Sequence, residues 1–223
     1  LSTSAIAALS TDQIGVVNTA GLAALTTAQM KALSSEQVAQ LTTAQVNALS
    51  GVQVAALDAG DLAGLSAAKV QAFTTAAVAA MTTAQVAALD TAQASGLTTA
   101  QVRALTTTQV AALTTTQAEK LGTAQLAALT STQVKALETA DLAKLDTAQL
   151  RAITTAAIGG LDSAQVASLS TLQVSSLTDG QVAGLSATQV KAIETADVAA
   201  MTTTQLQSIS SAAIAQLSTA QVA

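Results

Sequence analysis

The sequence predicts an all-α solenoid built from short helices, one per eight residues. Three observations carry that prediction: an unbroken octapeptide period, a helix-start signal in every octad, and a segregation of charge along each octad. The period is read from Leu1, Leu9, Leu25, Leu33 and Leu41. The residue in that register is Leu, Ile, Val, Met or Phe in all 28 octads, through Leu217. The consensus is Leu-Thr-Thr-Ala-Gln-Val-Ala-Ala, as at Leu25, Leu41 and Met81. A strict period without insertions lets each unit meet its neighbours in the same way, which makes the fold quasi-one-dimensional.

Numbered from its Leu, the octad opens with an apolar residue and then a cap. Position 2 is Ser, Thr, Asp or Asn in 25 of 28 octads, the exceptions being Gly122, Glu138 and Glu194. These side chains accept hydrogen bonds from the free amides at a helix start. Position 5 is Gln in 19 octads and Asp at Asp61, Asp141 and Asp197. That three-residue spacing is a capping box, in which the second side chain reaches back to the cap's own N–H. Positions 1 and 6 then flank the cap as a hydrophobic staple, and only Ala94 and Ala118 depart from a large apolar residue at position 6. Position 8 is mostly Ala, Gly or Ser, which allows close backbone approach where the chain bends.

Charge gives independent support. Of the 13 acids, all but Glu119 lie at positions 2 to 5; of the 8 bases, all but Lys69 lie at positions 7 and 8. Anions at the start and cations at the end match the macrodipole of a helix running from position 3 to about position 8. A β-strand has no comparable axial dipole.

Two other architectures compete. In one continuous helix, eight residues advance the face by about 800°, so the apolar stripe drifts by roughly 80° per octad and offers no seam. A triangular β-solenoid with three octads per coil is the stronger rival. Its consensus would be rich in Ala and Gln, poor strand chemistry, and its positions 1 and 6 would point to opposite faces. One octad alone cannot offset the entropy of ordering eight residues with two large side chains, so stacking must supply the difference. The expected object has a Leu/Val interior with Thr, Gln, Ala and charge outside. The period does not state how many octads complete one turn. The domain expectation is a single array over 1–223, 27 full octads and seven further residues, cut from a longer array.

Composition argues against most functions. With net charge −5 and 8 basic residues, the chain has little with which to bind nucleic acid. Thr, Ser or Gln interrupts each octad, so no run reaches the roughly 18 apolar residues of a membrane span. Few bases and a single Phe give no anchor for lying on a membrane surface. There is no His, Cys or Tyr. The abundant Ser and Thr thus have no imidazole to activate them, and no catalytic, cofactor or metal site is predicted. The closest candidates are the paired acids Asp58/Asp61, Glu138/Asp141 and Glu194/Asp197. Two carboxylates fall short of the six to eight oxygens calcium takes, and acids at a helix start are favourable without metal. These pairs recur in longer blocks spaced 80 and 56 residues apart, which reads as block duplication rather than a periodic ligand site.

Runs such as Leu25-Thr26-Thr27-Ala28-Gln29 and Leu97-Thr98-Thr99-Ala100-Gln101-Val102-Arg103-Ala104-Leu105 resemble the arrays of very large bacterial repeat proteins of adhesin- or hemagglutinin-like type. The resemblance covers the whole chain and implies secretion or surface display within a long spacer. It supplies no functional residues. The expected function is a non-enzymatic stalk segment whose partners are its own neighbouring repeats. The alternative is a binding module presenting a repetitive surface to a protein, a glycan or ice, the last through outward rows of Thr.

Overall fold

The computed structural model describes residues 2–222. They form 28 helices of four to six residues, α1 (Thr3–Ala7) through α28 (Thr219–Val222), one in each octad, with no strand among the described residues. Every helix starts at position 3, as the caps predict. In α13 (Thr99–Ala104) the Thr98 hydroxyl accepts from Gln101 N at 3.2 Å, and Gln101 Oε1 accepts from Thr98 N at 2.9 Å. Where the cap is Gly122, the return bond persists: Gln125 Oε1 accepts the Gly122 N–H at 2.7 Å. Arg103 and Lys135 stand in last turns, as the dipole prefers.

The chain changes direction between helices through two extended residues. Leu105 has φ −58° and ψ 137°, and Thr106 has φ −72° and ψ 160°. No described residue has positive φ. The bend therefore needs no glycine, which is why so glycine-poor a chain can turn 27 times.

Two compact units follow one another, Leu1–Leu113 and Thr114–Ala223. Within each, a helix packs on the helix three octads away. Thus α5 (Ser35–Ala39) contacts α8 (Ala59–Ala63), and α22 (Thr171–Ser176) contacts α25 (Thr195–Ala200). Three octads make one coil in both units. That is the coil size of the rival β-solenoid, here made by helices.

The core is the staple. Position 1 is buried from Leu33 to Ile209 and position 6 from Ile6 to Val198. At Ala94 and Ala118 the position-6 methyl is likewise fully buried. The small residue at position 8 serves a purpose other than the one expected. It faces the helix start three octads away, not a chain bend. A Cβ on Gly160 would lie 2.2 Å from the Ser131 carbonyl oxygen, and one on Gly51, at position 3, would lie 2.7 Å from Ala80 Cβ. Coil-to-coil stacking, then, is what keeps position 8 small.

Candidate functional site

The structure corrects the sequence reading most at position 5. Gln was expected outside; instead it is buried in 16 of its 19 octads, from 1% exposed at Gln85 to 7% at Gln149, with Gln13, Gln29 and Gln221 near the two ends more exposed. Its Oε1 closes the capping box and its Nε2 crosses to the preceding coil. Gln85 Oε1 accepts Thr82 N at 2.8 Å, while Nε2 donates to the carbonyls of Val54 at 2.8 Å and Leu57 at 2.7 Å. Gln173 repeats the pattern with Leu142 at 2.8 Å and Leu145 at 2.9 Å.

The two carbonyls lie 31 and 28 residues back. One belongs to the last turn of an earlier helix, where the carbonyl already accepts the C-cap N–H, as Val54 accepts Leu57 N at 3.1 Å, and takes the Gln amide as a second donor. The other belongs to the linker that follows. A primary amide has two donors and two acceptor lone pairs. Gln101 engages all four: Thr98 N at 2.9 Å and Thr98 Oγ1 at 3.2 Å on its oxygen, Val70 O at 3.1 Å and Phe73 O at 2.8 Å on its nitrogen. One residue type thus caps its own helix and finishes another in the preceding coil.

A signal for this was present in the sequence. A capping box accepts Glu as readily as Gln, yet position 5 holds no Glu in any octad. Only an amide both accepts from the cap and donates across the seam.

The departures at position 5 obey the same logic. Lys69, the base outside the charge pattern, sends its Nζ to the Ala39 carbonyl and so replaces the amide donor. Asp61, Asp141 and Asp197 are 5%, 2% and 3% exposed, whereas the other acids of each pair, Asp58, Glu138 and Glu194, are exposed. Each acidic pair is therefore one exposed residue at the N-cap position and one buried residue at position 5, not two carboxylates converging on a shared point. Asp61 accepts Asp58 N at 3.0 Å and the Ser35 hydroxyl at 2.7 Å. Burial pushes the Asp141 carboxyl above the ordinary carboxylate range. The Thr115 hydroxyl and the Glu138 backbone act against the shift, and the Glu138 charge adds to it. Asp141 Oδ2 has no hydrogen-bond partner. Glu36, fully exposed at a helix start, is held below the usual range by its own backbone N–H and the Ser34 hydroxyl.

Among the described residues, no three His, Cys, Asp or Glu gather as metal ligands, and no helix is long and apolar enough to cross a membrane. The surface grooves lie between stacked helices, as where Arg151, Thr178, Asp179 and Gln205 meet. A family model described as the ALTTAQ repeat matches residues 18–51, 54–91, 86–123, 134–171 and 190–223. No curated protein matches the chain significantly.

Proposed function

The chain belongs to the ALTTAQ repeat family, and on that premise we propose that it is a spacer, a stalk segment of a large secreted or surface-displayed bacterial protein. It is a structural repeat protein. The observation that supports the stalk reading is the interchangeability of its octads. Most octads cap themselves, bury the same two apolar positions and, in the 19 that carry Gln at position 5, offer the same amide to the coil before them. Length can then change by whole octads without new packing, which suits a part whose role is reach. A recognition surface would instead concentrate aromatic or Arg anchors at one place, and the chain holds one Phe, buried at Phe73.

The test is a length series: the chain shortened and extended by three and six octads, measured by small-angle scattering and thermal melting. A spacer gives a maximum dimension that grows linearly with octad number while the melting temperature stays nearly level. Saturable binding of the parent chain to a glycan array, or thermal hysteresis in ice growth, overturns the reading in favour of a binding module.

A further inference from the structure

The Gln bridges fail around one complete coil. Position 5 lacks Gln in three successive octads at a single place, Asp61, Lys69 and Ala77, and three octads are one turn. The coil concerned comprises α8, α9 (Ala67–Gln71) and α10 (Thr75–Ala80). It stacks on α5, α6 (Thr43–Asn47) and α7 (Gly51–Ala56).

The seams on either side are complete. Below, Gln37, Gln45 and Gln53 donate to Leu9, Val17 and Leu25 at 2.6, 2.7 and 2.9 Å. Above, Gln85, Gln93 and Gln101 donate to Leu57, Leu65 and Phe73 at 2.7, 2.5 and 2.8 Å. At the seam between them, the corresponding linker carbonyls are those of Leu33, Leu41 and Leu49, and no amide stands at position 5 to meet them. Substitutes hold it: the Ser35–Asp61 bond, Lys69 on the Ala39 carbonyl, and Asn47 Nδ2 on the Ala72 carbonyl at 2.9 Å. Two of these involve a flexible or exposed partner, and ordering a long Lys side chain costs more entropy than ordering a Gln already fixed in its capping box.

In a stack whose stability is a sum of neighbour interfaces, the weakest interface opens first and everything beyond it leaves together. We infer that the seam below Leu57 is the built-in opening point of this unit, where the segment Ser2–Ala56 detaches as one cooperative body under load or mild denaturant. The inference concerns the stack itself and does not depend on the spacer reading.

Native-state hydrogen exchange of the full chain in sub-denaturing urea reads this directly. Opening at the seam gives the slow amides of 2–56 one common protection, at least about tenfold below those of 81–104, with a step at Leu57. The variant D61Q/K69Q/A77Q supplies the three missing amides, slows exchange of 2–56 about tenfold and removes the step. A second variant, Q85A/Q93A/Q101A, breaks the seam above and moves the step to Met81. Protection that rises smoothly from the first helices with no step, or a step that survives in the triple-Gln variant, overturns the inference.

Discussion

At the residue scale, the buried Gln separates two roles that one substitution can divide. Gln101→Glu keeps an acceptor for Thr98 N but turns a donor into a carboxylate facing the Val70 and Phe73 carbonyls. Gln101→Ala removes both roles and leaves no buried charge. We expect Glu to cost more than Ala, on the order of 3 kcal/mol against about 1–2, because an unpaired buried charge outweighs a lost hydrogen bond. Urea midpoints of the two variants check the order, and a Glu variant as stable as Ala would remove the donor from the account. Asp141 gives a pH prediction. Its folded-state carboxyl titrates above the unfolded value, so folding favours the protonated form. The stability this group contributes is present below the unfolded value and is lost as pH rises through the folded one. Asp141→Asn should therefore stabilise the chain at pH 7, with an advantage that shrinks as pH falls through the raised folded value and is gone below 3.8, the ordinary Asp value. Denaturation at both ends of that range checks the sign.

At the scale of the helix, glycine has opposite value in two places. Gly60 lies inside α8 with nothing within 4 Å of an added Cβ. Gly60→Ala should stabilise by about 0.5–1 kcal/mol through helix propensity. Gly160 meets the Ser131 carbonyl, and Gly160→Ala forces apart α17 (Ser131–Ala136) and α20 (Thr155–Ile158), costing about 1–3 kcal/mol. Thermal melts moving in opposite directions are the expected result; the same direction in both would mean that position 8 is not a stacking contact. The helices themselves were legible in the sequence. Caps, boxes and staples act over three to five residues, so every start could be placed before any packing was known. Leu113 and Leu129 are buried and Lys135 exposed, as the period requires.

At the scale of the molecule, register decides whether the fold forms, while octad identity tunes the strength of each seam. Deleting Met81–Ala88 lets each Gln find the equivalent carbonyls one octad further back, so the fold should survive with a melting temperature within a few degrees. Deleting Met81–Ala84 removes half an octad with its cap, and circular dichroism should show local loss of helix and a lower midpoint. Equal tolerance of both deletions would show that the 28- and 31-residue register is not what holds the coils.

The sequence by itself determined where each helix begins, which two positions are apolar and how charge runs along each octad. All three depend on groups within one octad. Only the tertiary structure decided that three octads close a coil, that position 5 is inside, and that position 8 is small for stacking. Coil closure is the accumulated turn of extended linkers such as Leu105–Thr106, whose dihedrals no local pairing in the sequence specifies. Gln, seen within its own octad, is fully explained by its cap. Its second bond reaches a carbonyl 28 residues away, and that carbonyl is within reach only because the coil closes at three.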